Sequence, residues 1–424
     1  MLQRLSTEKL KDFIQIGAVT LLDTRSATAY AGWLDDLRAG GGHIAGSRLF
    51  SADWILFLDQ AIMSSREAKF RRDQLVERSQ YFIQQNNIEK IVLIDDDPER
   101  CEQVGQFLAH FMPSDSQYFY YCFSDWKDRL ESYPHYDKIV PATWLNAVIS
   151  GQQPDHYTTS NYQIFECDWG RAGITYLSSH IPGAVHLDTE DFEQAPAWTH
   201  RSLEELQSFV EKYQIDPQAT IILYSNGDQG AEYKTALILE ALGYPHVRIL
   251  SGGYSPWRIH GFATERGKDS PVHGDSVPFP VGADFSCLKS IEEVREICRG
   301  ESLGSLVDIR QWAEYRGEMT GYDYIHQAGR IPGAVYGGSW VNYKNIDDSL
   351  PDQTYFSDQL SQHQLDLGQD LTLFCGSAGW GASILYYFAY VYGYTQLSLY
   401  EGGWCEWQLD PTNPIDTEVL PAKD

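Results

Sequence analysis

No run of apolar residues in this 424-residue chain approaches the roughly 18 needed to cross a bilayer, so a membrane span is not expected. The segment Met1–Leu22 lacks the unbroken apolar stretch of a secretory signal, because Glu8, Lys9, Lys11 and Asp12 interrupt it. The expected location is therefore cytoplasmic, or periplasmic for a chain from which a signal has been removed. Positive charge is scarce: 32 Lys and Arg stand against 59 Asp and Glu, for a formal net charge of -27. Such a surface repels phosphate backbones and argues against nucleic acid as a partner. Cysteine is limited to seven residues: Cys101, Cys122, Cys167, Cys287, Cys298, Cys375 and Cys405. The odd number and the lack of a Cys-x-x-Cys pair exclude a disulfide framework or a zinc ribbon. No histidine cluster replaces them, and neither a metal nor a cofactor is expected.

What the chain does have is repetition. Each of three copies opens with a short amphipathic helix, at Leu5–Ile16, Ala142–Ile149 and Ile291–Cys298. A buried strand with an acidic residue follows: Leu21-Leu22-Asp23-Thr24-Arg25, Phe165-Glu166-Cys167-Asp168-Trp169 and Leu306-Val307-Asp308-Ile309-Arg310. A turn element comes next, beginning at Gly42-His43-Ile44, Ser179-His180-Ile181 and Gly329-Arg330-Ile331. Later apolar runs at Lys90–Ile94, Thr220–Tyr224 and Leu371–Phe374 read as strands of a parallel sheet, buried on both faces. Each precedes a loop and a helical pattern, at Cys101–Phe111, Ala231–Leu242 and Ala382–Tyr392.

The spacing makes the duplication plain. His180 to Ser225 and Arg330 to Cys375 both span 45 residues, and Ser225 to Gly252 and Cys375 to Gly402 both span 27. The predicted architecture is α/β, three tandem units each with a parallel sheet flanked by helices. Linkers at Tyr133–Pro141 and Gly261–Pro280 divide the chain into residues 1–138, 139–277 and 278–424.

These residues resemble the rhodanese family. The resemblance rests on the acidic residue ending the first central strand, the Gly-Arg-Ile-Pro-Gly-Ala element at 329–334, a loop opening with Cys375, and the closing Gly402-Gly403-Trp404. With Glu318–Ile325 ahead of the turn element, the chain is similar to the bacterial three-domain thiosulfate sulfurtransferases. The resemblance implies transfer of sulfane sulfur from a small anionic donor such as thiosulfate to a thiophilic acceptor, through a persulfide on a cysteine. A protein sulfur donor or acceptor is a further partner it allows.

The third loop suits that chemistry. Cys375 ends a strand and precedes a helix, so inward amides and the helix N-terminus can favour a thiolate and a terminal persulfide sulfur. Gly376, Gly379 and Gly381 let the backbone curl around it. Cys375 is the expected nucleophile, with Gly376, Ser377, Ala378, Gly379, Trp380 and Gly381 forming the substrate cradle. Arg316 is the candidate cation for the donor, whereas Arg310 is expected to pair with Asp308 and Arg330 to be structural. Relative to the loop of those relatives, one residue is inserted near Ala378, and Gly381 stands in place of arginine. The matching loops carry Ser225 and Asp95-Asp96-Asp97, neither able to hold sulfur, so the first two units are expected to be non-catalytic.

Three other readings stand beside this one. A 3-mercaptopyruvate donor fits the opening Cys375-Gly376-Ser377 equally well. A persulfide carrier or scaffold in a sulfur relay would use the same cysteine without turnover. A phosphatase is disfavoured, because no arginine lies between Cys375 and Tyr394 to grip phosphate.

Overall fold

The computed structural model describes residues 2–420 apart from 18, 35–39, 86–88, 171, 228–229, 268–276 and 281. The chain forms an α/β structure with three parallel sheets of five, five and four strands, each flanked by helices. In the first sheet the strands lie in the order Gln3–Arg4, Gln117–Cys122, Lys90–Asp95, Thr20–Asp23, Arg48–Leu49. The second runs Ile139–Val140, Val247–Leu250, Thr220–Tyr224, Tyr162–Asp168, Ala184–Asp188, the same order one copy later. The third runs Leu397–Leu399, Leu371–Phe374, Ser305–Asp308, Val335–Tyr336, and a lone parallel bridge from Leu288 to Leu399 stands where the fifth strand would be.

The central strands are apolar along their length because both faces are covered. Every residue of Thr220–Tyr224 and Leu371–Phe374 is buried. The repeat extends to details. An antiparallel bridge joins each turn element to the end of its unit, at His43–Glu131, His180–Glu265 and Arg330–Asp416. His43 and His180 also hydrogen-bond the carbonyls of Tyr30 and Tyr176 through Nδ1 and stack on those rings. Arg330 reaches the Glu418 carbonyl from the same position. These residues hold the turn.

Helix starts shift by a few residues, and caps account for it. The first post-strand helix spans Pro98–Leu108, not Cys101–Phe111, because Asp97 caps it and Pro98 occupies its first turn. The third spans Trp380–Val391, begun by Gly379 in a left-handed conformation. Several elements were not read from the sequence, among them a long helix, Ser65–Gln85, and an antiparallel pair, Glu193–Gln194 with Thr199–His200. Pro271 and Gly274, which help to mark the second linker, lie outside the described residues.

The three units are locked together by buried polar contacts. Arg71 forms a bidentate pair with Asp348 (2.8 and 2.7 Å), and Arg48 reaches Asp352 (3.0 Å), joining the first unit to the third. Between second and third, Lys234 is wholly buried and pairs with Glu401, which also accepts from His200. No helix among the described residues is long and apolar enough to cross a membrane.

Candidate active site

The strand Leu371–Phe374 ends at Cys375, and the following turn is held from two sides. Trp404 and Cys405 donate backbone N–H groups to the carbonyls of Cys375 and Gly376 (3.0 and 2.8 Å), so the helix Gly403–Leu409 is clamped to the loop. This contact explains the second glycine of the closing pair. Gly403 has φ +55°, and a Cβ there would collide with the Cys375 carbonyl. Gly253, its counterpart, has φ +65° and lies against the Ser225 carbonyl, which an added Cβ would approach to 2.7 Å. The loop turns through two successive left-handed positions, Ala378 at φ 58° and Gly379 at φ 72°.

Gly381 has a physical reason as well. The Trp340 indole packs on it, and an added Cβ would lie 2.7 Å from that ring. Trp340 thus occupies the space into which an arginine at this position would grow.

Backbone amides of Ser377, Gly381 and Ala382 bear on the Cys375 sulfur and favour its thiolate. Burial outweighs them. The thiol is pushed above its usual value, with the field of Glu314 adding in the same direction. The amide cradle expected of the loop is present, and Sγ lies 3.4 Å from the Ser377 carbonyl. Cys101, by contrast, is buried beside Thr24 and pushed up to about 12 with no such amides, which marks it as packing.

Cys375 opens into a cavity of about 490 Å³. Gly376, Ser377, Ala378, Trp380 and Gly381 line it; Gly379 and Arg316 do not. Gly379 faces the backbone of Glu401 instead, and Arg316 is turned to Glu318 (2.9 Å). Among the described residues the cation in the wall is Arg310, which binds Asp308 (2.7 Å) and the Gly329 carbonyl (2.9 Å) while its Nη1 is buried with no hydrogen-bond partner among them. The expected Arg310–Asp308 pair is present, and it places Arg310 at the cavity.

The remaining walls are aromatic and acidic. Trp340, Tyr322 and Tyr324 come from the third unit, and Trp169 and Trp198 from the second. Tyr322 covers Gly376 and stacks on Tyr324 (5.2 Å between centroids). Trp380 both lines the cavity and packs against Gly230 of the second unit. Glu193 and Glu314 supply carboxyls, both raised chiefly by burial, Glu193 to about 7. Tyr322 and Tyr324 lie in the 318–325 segment that carries part of the family resemblance. Glu193, Trp169 and Trp198 carried no sequence signal.

The matching positions elsewhere hold no cysteine. Ser225 faces the buried Glu232, and Asp95 is ion-paired with Arg100 (3.1 Å), which also binds Asp53 (2.8 Å). All seven cysteines are free.

The chain is 30% identical to Escherichia coli thiosulfate sulfurtransferase YnjE over 408 residues, 93% of this chain and 88% of that protein. It superposes on the anaerobic ergothioneine biosynthesis enzyme of Chlorobium limicola, solved with its natural substrate trimethylhistidine, with TM-score 0.84 and 29% identity, covering 99% of this chain and 100% of that one. A complex of EanB with ergothioneine covalently linked to a cysteine persulfide gives TM-score 0.85 at 28% identity, over 99% and 100% of the two chains. The rhodanese-like domain family matches residues 158–260 and 290–410, more than half of the sequence, and the chain belongs to the rhodanese family of sulfurtransferases.

Proposed function

We propose that this protein moves sulfane sulfur through a persulfide on Cys375, in the last of three rhodanese-like units spanning residues 1–138, 139–277 and 278–424. The observation that carries the proposal is a cysteine sulfur faced by three backbone amides, from the loop and the first turn of the helix after it, in a walled cavity, while serine and aspartate occupy the matching loops. With thiosulfate as donor, the Cys375 sulfur attacks the outer sulfur. The S–S bond of the donor breaks, its electron pair leaves with sulfite, and the thiol proton is lost to the surroundings. The amides and the helix Trp380–Val391 then stabilise the terminal sulfur of the persulfide. The unpartnered Nη1 of Arg310 supports the binding of an anionic donor, thiosulfate or 3-mercaptopyruvate. A nucleophilic acceptor finally attacks the outer sulfur and restores the thiol. The first two units carry no sulfur in this scheme.

A second reading concerns the acceptor. Five indole and phenol groups beyond Trp380, and two buried carboxyls, make a wall better suited to an organic molecule with cationic character than to cyanide. The enzyme with bound trimethylhistidine supports an acceptor of that kind.

Turnover separates these readings. Sulfite release from thiosulfate, pyruvate release from 3-mercaptopyruvate, and sulfur incorporation into trimethylhistidine are to be compared at equal donor concentration. Turnover with any of them, abolished in Cys375→Ala, supports the sulfurtransferase. Persulfide on Cys375 without turnover would favour the carrier.

A further inference from the structure

The second unit has a serine where a sulfur nucleophile would sit, yet it reaches into the third unit's cavity. It does so with the hairpin Glu193–His200, whose two strands pair Glu193 with His200 and Gln194 with Thr199. The hairpin is fixed on the third unit at three points. His200 donates its backbone N–H to Glu401 (3.2 Å), its ring stacks on Phe285 (4.7 Å), and Cys405 Sγ bonds the Pro196 carbonyl (3.3 Å). These contacts aim two side chains, Glu193 and Trp198, into the space above Cys375.

Their surroundings are selective. Trp198 lies between Trp169 and Tyr324, with centroids 6.2 and 6.3 Å away, so three aromatic groups converge on one side of the cavity. Glu193 is 1% exposed, accepts from the Trp380 indole N–H (3.3 Å), and faces the Thr189 hydroxyl. Among the described residues no cationic side chain forms an ion pair with it. Lys234, whose charge reaches it, is already paired with Glu401. A carboxyl removed from water, held by neutral donors and set beside aromatic rings, is an incomplete cation site.

Resting on the sulfurtransferase reading above, we propose that this hairpin is the acceptor-recognition wall of the enzyme, with Glu193 and Trp198 binding a quaternary or protonated nitrogen of a small organic acceptor. The unit that lost the nucleophile thereby determines which molecule receives the sulfur. Glu193 is a specificity residue in this assignment, since it contacts the acceptor and takes no part in the S–S exchange.

Calorimetry on the full chain tests the assignment with two probes, trimethylhistidine and imidazole propionate, which has the ring and carboxylate but no amino nitrogen. The expected result is that the unaltered protein prefers trimethylhistidine by about 10-fold or more, the equivalent of ~1.4 kcal/mol. Glu193→Gln and Trp198→Ala are each expected to remove most of that preference while the affinity for imidazole propionate stays within about two-fold, which also reports that both variants fold. Glu193→Asp, which keeps the charge, should restore part of it. Equal affinity for the two probes, no binding of trimethylhistidine, or an undiminished preference in Glu193→Gln would overturn the assignment. Binding needs no sulfur, so these outcomes are separate from the mass measurement of persulfide on Cys375, which tests the underlying reading.

Discussion

At the scale of single residues, the shape of the loop follows from its neighbours. Trp340 fills the space beside Gly381. Gly381→Arg is therefore expected to overpack the loop, costing about 1–3 kcal/mol and most of the rate of persulfide formation. Trp340→Ala in the same chain should recover part of both, as denaturant midpoints and stopped-time mass spectra would report. Glu314 adds negative potential at Cys375 and so opposes the thiolate. Replacing it with glutamine should lower the thiol pKa, read from the pH dependence of alkylation by iodoacetamide; an upward or absent change would contradict the account. Cys375 and the loop from Gly376 to Gly381 were legible in the sequence because strand, cysteine and glycines are contiguous. The cation at the cavity was not. Arg316 and Arg310 are only six residues apart, and the choice between them depends on side-chain direction, which no spacing rule contains.

Among elements, the strands and their order were the most legible feature, because strands buried on both faces leave uninterrupted apolar runs bounded by turns. Leu371–Phe374 and Thr220–Tyr224 have the expected limits. The Glu193–His200 hairpin left no such trace. Each strand has two residues, too few for a period, and their value lies in contacts with Glu401 and Tyr324, more than a hundred residues on. What holds the hairpin near the cavity is the buried Lys234–Glu401–His200 group. Glu401 is held far below the ordinary carboxylate range, at about 2, because Lys234 and His200 offset its burial. Glu401→Gln leaves the ammonium of Lys234 buried without its counter-charge, and a loss of about 3–5 kcal/mol is expected on equilibrium unfolding. The double variant Lys234→Met, Glu401→Gln should regain much of it; a double variant no more stable than the single one would show that the pair is not the source.

Over the whole molecule, three copies of one topology have kept different chemistry at equivalent points. Asp23 pairs with Arg25 and Asp308 with Arg310, but Glu166, at the same place in the second sheet, has Asp168 two residues on. Among the described residues its buried carboxyl faces the Tyr224 phenol, and burial raises it to about 7. Glu193 and Glu232 are also raised to about 7 by burial. A carboxyl raised in the folded state ionises more readily when the chain unfolds. Stability should therefore fall as pH rises from about 4.5 to about 7 and level off above, each group contributing up to ~1.4 kcal/mol for every pH unit crossed in that window. Denaturation midpoints are expected to be higher at pH 5.5 than at pH 8, and Glu166→Gln should raise the midpoint at pH 8 and flatten the dependence. Equal midpoints would contradict this. The repeat itself was legible from two matched intervals of 45 and 27 residues, whereas the assembly of the units was not, since Arg71–Asp348 and Lys234–Glu401 are pairs between distant charges with nothing in their local sequence to mark them. One sulfur atom carries the central claim. Mass spectrometry of the intact chain after incubation with thiosulfate should show a gain of about 32 Da, mapped to the peptide containing Cys375 and absent from Cys375→Ala. A gain retained in that variant, or mapped to another of the seven cysteines, would contradict it.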